Sequence, residues 1–153
     1  MKRRVVVTGL GAITPIGNNV EEFWTNLTAG KSGIGLITQF DTTNFDCKIA
    51  GEVKNFDFAQ FGDKKAGKRM DKVTQFAVAA AKQAIDDAKL DMTKEDAVRV
   101  GVCAGTGIGG IQTFLEQSLK YGEKGPSHIS PFFIPMEIPN MPAAQIAIAN
   151  GMK

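Results

Sequence analysis

The stretch Val98-Arg99-Val100-Gly101-Val102-Cys103-Ala104-Gly105-Thr106-Gly107-Ile108-Gly109-Gly110-Ile111-Gln112-Thr113-Phe114 decides the fold class. Val98 to Ala104 is mostly apolar and ends on glycine, which predicts a buried strand. Gly105 to Gly110 is a glycine-rich turn. Ile111 to Tyr121 carries apolar residues at helical spacing. Strand, tight turn and helix in succession point to an α/β layered protein with a mainly parallel sheet. Gly105-x-Gly107-x-x-Gly110 also matches the dinucleotide-binding fingerprint formally. That reading needs a second strand ending in an acid roughly 20 residues further on. The residues there are Glu123-Lys124-Gly125-Pro126, a loop. The simpler reading is a turn whose glycines let two backbones approach closely.

Upstream, Arg4 to Leu10 repeats the strand signal, again bounded by glycine. Asn18 or Asn19 can cap a helix through about Leu27, with Glu21 and Glu22 where the helix dipole favours negative charge. Gly30 and Gly33 end it. Residues 34 to 62 scatter Phe40, Phe45, Phe56, Phe58 and Phe61 among polar residues, with a short strand near Lys48 to Val53. Asp71 caps the clearest helix of the chain, in which Val73, Phe76, Ala77, Ala80, Ala84, Ile85 and Ala88 recur at helical spacing. Its alanines imply close approach of a neighbouring element. Gly122 to Pro142 is broken repeatedly by Pro and Gly, and Ala143 to Ala149 is an apolar helix stopped at Gly151.

Composition fits one domain or a large piece of one: 153 residues, 43% hydrophobic and 22% charged, within the range of packed globular proteins. The net charge of +2 offers no global field for nucleic acid, so electrostatic recognition must be local. Two distant cysteines, Cys47 and Cys103, and a single histidine, His128, make no zinc-ligand pattern and suit a reducing cytoplasm. Met1-Lys2-Arg3-Arg4 runs directly into a short apolar stretch, too short for a signal peptide. No run reaches the ~18 apolar residues of a membrane span.

Candidate chemistry is sparse. Gly9-x-Gly11 continues to Thr14-Pro15, and Gly30-Lys31-Ser32 lacks the first glycine of a P-loop because Thr25 stands there. Cys47 sits in a polar stretch, and Cys103 reads as a small buried hydrophobe. His128 has no partner visible in the sequence and reads as a loop histidine. No nucleophile–base pair can be assembled. The run Lys64, Lys65, Lys68, Arg69 and Lys72 has a plain reading as a solvated face. Its alternative is a docking patch, because residues three and four apart share one side of a helix and such a cluster suits an acidic or phosphorylated partner.

Four segments in order resemble the β-ketoacyl-acyl-carrier-protein synthases, the condensing enzymes of the thiolase fold. They are Arg3-Arg4-Val5-Val6-Val7-Thr8-Gly9-Leu10-Gly11, Gly30-Lys31-Ser32-Gly33-Ile34, Gly105-Thr106-Gly107-Ile108-Gly109-Gly110 and Ser130-Pro131-Phe132-Phe133-Ile134-Pro135. The last two resemble the elongating type II enzyme more than type I, and a polyketide ketosynthase subunit is the neighbouring alternative. The resemblance spans the whole chain, 1–153, as the amino-terminal part of the layered α-β-α-β-α thiolase-like fold.

It implies fatty-acid elongation by decarboxylative condensation. A cysteine takes an acyl group from the phosphopantetheine arm of acyl carrier protein. Two histidines promote loss of CO2 from malonyl carrier protein, and the carbanion attacks the thioester. Neither metal nor enzyme-bound cofactor is expected; phosphopantetheine arrives on the carrier protein. The family's cysteine motif would follow shortly after Lys153, and both histidines later, so no catalytic residue is expected within this chain. Ile108 matches the residue guarding the acyl pocket, and Phe133 and Ile134 match positions that line it at the dimer interface. Residues 111 to 149 are expected to form that interface of a homodimer. Lys65, Lys68 and Arg69, with Lys64 beside them, match the carrier-protein docking patch. Many relatives carry a basic pair where this chain has Ser127-His128. A non-catalytic, chain-length-factor-like binding partner is the alternative of a different class.

Overall fold

A computed structural model describes residues 3–153; Met1 and Lys2, where the amino-terminal reading begins, lie outside the described residues. The helices are α1 (Val20–Thr28), α2 (Lys64–Gly67), α3 (Lys72–Asp87), α4 (Ile111–Lys124), α5 (Phe133–Glu137) and α6 (Met141–Asn150). The strands are β1 (Ile34–Leu36) and β2 (Ile49–Gly51).

Local chemistry explains most boundaries. Asn19 caps α1 by accepting from the Glu22 amide, with Glu21 and Glu22 in the first turn, and Gly30 leaves it at φ +69°. Asp71 caps α3 by accepting from the Val73 amide. Gly151 ends α6 in the left-handed conformation, the usual glycine stop. The core gathers Phe58, Met70, Val78 and Ile146, with Phe56, Ala66, Ala77, Ala81, Val102 and Ala104 packed against it. Helix α6 therefore lies on α3, and the extended segment through Val102 and Ala104 closes one side.

The expected close approach to the alanines of α3 is present. The chain from Gly9 to Ala12 runs along this helix. A side chain at Gly9 would collide with the Ala84 carbonyl, and one at Gly11 with the Ala80 carbonyl. The Leu10 amide donates to the Asp87 carboxylate at 2.9 Å and the Ala12 amide to Gln83 at 3.2 Å. Ala80, Ala84 and Ala88, four apart, supply the flat strip that the glycines cross.

The sheet differs from expectation. Among the described residues the sheet is β1 paired with β2, antiparallel, Ile34 opposite Gly51. Residues 4–10 and 98–104 form no ladder. Val5 is 95% and Val98 74% exposed, so the first segment is not the buried strand that its composition suggests. Parallel strands gain stability only from neighbours placed by long crossovers, and the described residues bring none alongside these segments. Residues 100–106 nevertheless alternate half-buried and exposed along the chain, the period-two signature of an extended strand. That alternation corrects the reading of Cys103: it faces away from Val102 and Ala104 and is exposed.

Candidate functional site

The basic run does not form one helix. Asp63 caps α2 by accepting from the Ala66 amide, and the helix stops after one turn with Lys68 as its C-cap. The break has a packing cause. Gly67 lies against the Phe58 ring, Met70 is buried beneath, and Asp71 restarts the chain as α3. Gln75 reaches back from α3, and its side-chain amide donates to the Gly67 carbonyl at 2.9 Å and the Met70 carbonyl at 3.1 Å. Lys72 thus belongs to α3 and not to the helix carrying Lys64 and Lys65.

Lys64, Lys65, Lys68 and Arg69 are all exposed. Among the described residues the ion pairs are Lys82–Asp86 and Lys94–Asp91, so none of the four is neutralised by a carboxylate within salt-bridge distance. Arg69 has a fixed place. Its guanidinium lies over the Phe132 ring, 4.5 Å from the centroid, a cation–π contact that orients a planar cation at the surface.

Phe132 begins the apolar segment. Phe133 is half-buried, its ring 6.2 Å from that of Phe114 on α4. Ile134 is 55% and Ile108 63% exposed. The glycine loop is clamped to the same region. The Gly110 amide donates to the Glu137 carbonyl at 2.7 Å. A side chain at Gly109 would collide with that carbonyl, and one at Gly110 with the Met136 carbonyl. Gly109 also adopts φ +85°, a conformation in which a Cβ is strained. The close-approach reading of the loop is therefore correct. The third glycine of the dinucleotide fingerprint is here the one that packs on α5, its amide donating to the Glu137 carbonyl. Phe133 thus packs on α4, the loop that carries Ile108 is held at Met136 and Glu137 of α5, and Arg69 meets the same segment through Phe132. Other clefts lie elsewhere, among them these two. A polar one of about 480 Å³ is lined by Pro15, Asn18, Lys31 and Lys54. An apolar one of about 360 Å³ is lined by Phe58, Met70 and Ile148.

His128 is exposed in a short helical turn, with its Nδ1 3.2 Å from the Ser127 hydroxyl. Cys47 is exposed. Among the described residues no three His, Cys, Asp or Glu side chains converge on one point, and no helix is long and apolar enough to cross a membrane.

The structure adds a contact that the sequence reading missed. The Asp71 carboxylate accepts from the Thr113 amide at 3.0 Å and the Thr113 hydroxyl at 2.7 Å, inside the protein. Asp71 was legible as a cap. Its second partner, 42 residues away, leaves no local signal beyond Gly110, a residue without a side chain to cap α4 itself.

The family model "Beta-ketoacyl synthase, N-terminal domain" matches residues 2–153. The "3-oxoacyl-[acyl-carrier-protein] synthase 2" of Synechocystis sp. is 52% identical over 152 residues, covering 99% of this chain and 36% of its own length. The chain thus spans about a third of the length of the curated relatives it matches. The solved ishigamide ketosynthase/chain length factor is 35% identical with TM-score 0.86, covering 99% of this chain and 38% of its own. A type II polyketide ketosynthase, solved with its acyl-carrier protein and bound hexaketide, is 26% identical with TM-score 0.82 over the whole of this chain and 41% of its own. The fold is accordingly α/β, the amino-terminal part of the thiolase-like fold of the ketosynthases. Because the family model matches residues 2–153, the chain belongs to the β-ketoacyl synthase family.

Proposed function

We propose that this chain serves fatty-acid elongation, as the part of a condensing enzyme that receives acyl carrier protein and forms one wall of the acyl pocket. One observation carries the reading. Arg69, the last residue of an exposed basic edge without carboxylate partners, is seated on Phe132, which leads directly into Phe133 and Ile134. An acyl carrier protein would present both complements at once, acidic and phosphate groups outside and an apolar chain beside them. The relative solved with its acyl-carrier protein supports the same partner. Lys64, Lys65, Lys68 and Arg69 dock the carrier, while Ile108, Phe133 and Ile134 line the acyl chain's path.

The reaction has two halves. An enzyme thiol attacks the acyl-carrier thioester, forming acyl-enzyme and releasing the carrier's phosphopantetheine thiol. Malonyl carrier protein then loses CO2. Its carbanion forms the new C–C bond at the acyl-enzyme carbonyl, and the enzyme C–S bond breaks to give β-ketoacyl carrier protein. Preorganised donors stabilise the oxyanion. The nucleophilic cysteine and both histidines lie beyond Lys153, so residues 1–153 supply docking and selection while the bond changes occur elsewhere. The enzyme binds no cofactor of its own and works as a homodimer in the cytoplasm. The apolar stretch 111–149, which exposes Ile111, Leu115, Leu119 and Ile134, forms the subunit interface.

Charge reversal tests the docking claim in the complete gene product. Lys65→Glu with Arg69→Glu raises KM for carrier-bound substrate by about tenfold or more, since close interfacial charge pairs couple by ~1.5 kcal/mol upward. An unchanged KM overturns it. Ile108→Phe shortens the acyl chains accepted, and a wild-type chain-length profile overturns that assignment. The second reading is a non-catalytic partner subunit of the chain-length-factor kind, a type that the ketosynthase/chain length factor structure also contains. Carrier-protein binding without any condensation by the complete gene product would establish it instead.

A further inference from the structure

We propose that Asp71 is a positioning residue that fixes the Ile108 loop relative to the basic edge, so that acyl-chain selection depends on a carboxylate that never touches the acyl chain. The effect on selection rests on the proposed function; the effect on the loop does not. Asp71 is only 6% exposed, and a buried carboxylate is tolerated only when its oxygens are well bonded. Both oxygens are. Oδ1 accepts from the Val73 amide at 3.1 Å, the ordinary N-cap bond of α3. Oδ2 accepts from both the amide and the hydroxyl of Thr113.

The second set is the unusual one. Asn19, Asp57, Asp63 and Asp96 cap their own helices and turns by bonds to residues two or three positions on. Asp71 does this and also serves the first turn of α4, which begins at Gly110 without any side-chain cap. The first amides of a helix have no partner within it, and Asp71 supplies one from outside. A single carboxylate thus caps two helices.

Its neighbours give that joint a consequence. Lys68 and Arg69 stand three and two residues before Asp71, and Ile108 five before Thr113. The Gly110 backbone packs on the Asp71 side chain; a Cβ added at Gly110 would lie 3.1 Å from the Asp71 Cβ. On its other side the loop is held by Met136 and Glu137. With the Asp71–Thr113 bonds intact, Ile108 is offset rigidly from the carrier-facing edge. Without them, the loop is tied to α5 through the Glu137 bond and can shift under load.

The test uses the complete gene product with Asp71→Asn, Thr113→Val and the conservative Thr113→Ser, each read in two ways. Hydrogen exchange is the first. Amides 105–113 of Asp71→Asn and Thr113→Val exchange at least tenfold faster than in wild type, while α1 and α6 stay as protected and Thr113→Ser behaves as wild type. Unchanged protection at 105–113, or loosening spread evenly over the chain, overturns the positioning role. The second is the ratio of kcat/KM for long against short acyl-carrier substrates. It moves at least fivefold in the two disruptive variants and returns in Thr113→Ser. A uniform loss at all chain lengths overturns the effect on selection. If the two disruptive variants loosen the loop but the wild-type protein performs no condensation, the proposed function is refuted and the loop assignment stands.

Discussion

Gly110 has a backbone carbonyl where a side chain would begin, whereas Gly105 and Gly107 in the same loop have nothing within 4 Å. The loop therefore contains two kinds of glycine. Gly110→Ala forces the loop and the end of α5 apart and lowers stability by about 1–3 kcal/mol, the usual range for overpacking. Gly105→Ala stays within about 0.5 kcal/mol, as at open surface positions. Chemical denaturation of the two variants side by side checks this, and equal losses would contradict it. The sequence shows that the loop is a turn. It does not show which glycines are indispensable, because the obstructing atoms belong to Met136 and Glu137, more than 25 positions downstream. Cys103 fails for a related reason. Apolar neighbours suggest burial, but in an extended segment alternate residues face opposite ways, and only packing tells which face is covered.

At the scale of elements, helices were legible nearly throughout because their signals are local. Asn19, Asp71 and Gly151 stop and start helices where side-chain or glycine chemistry demands it. The joint between α2 and α3 was not, since Gly67 breaks the helix by fitting under Phe58, a tertiary contact. The β1–β2 hairpin carries a titratable clip. The Glu52 carboxylate accepts from the Thr38 amide at 2.9 Å, from its hydroxyl at 2.8 Å and from the Gln39 amide. The Thr38 amide first, then its hydroxyl, hold this carboxyl below the ordinary carboxylate range. A carboxylate whose folded value is depressed stabilises the fold above its unfolded pKa and loses that contribution as pH falls through the folded one. Wild type therefore exceeds Glu52→Gln in Tm at neutral pH, and the difference shrinks as pH falls below the unfolded glutamate's ~4.3 and is gone once the folded carboxyl is protonated as well. Thermal melts of both proteins across that range measure it; a difference independent of pH would contradict the clip.

The whole molecule is unusually open. Its accessible surface is 11030 Å², where a compact monomer of 16.4 kDa would expose about 7,500 Å². Much of the excess is apolar: Val5, Val7, Leu36, Val98 and Ile148 are all well exposed. Unpaired extended segments and apolar patches of this kind favour association. Residues 1–153 alone should self-associate at micromolar concentration and bind an apolar dye, as light scattering and dye fluorescence would show. A monodisperse monomer without dye binding would contradict this. The α/β class was legible from the alternation of apolar runs and helical periods. The sheet was not, because ladder partners of parallel strands are set by topology and leave no mark in the strands themselves.

The central claim is a division of labour: residues 1–153 receive the carrier and shape the acyl pocket, and the covalent step uses a thiol elsewhere. Mapping the acylated residue tests it most directly. The complete gene product is incubated with acyl-loaded carrier protein, without malonyl substrate, and the thioester is located by peptide mass spectrometry. The account predicts an acyl group on a cysteine beyond Lys153, with Cys47 and Cys103 unmodified. A thioester on either of those two cysteines, or no acyl transfer at all, would contradict it.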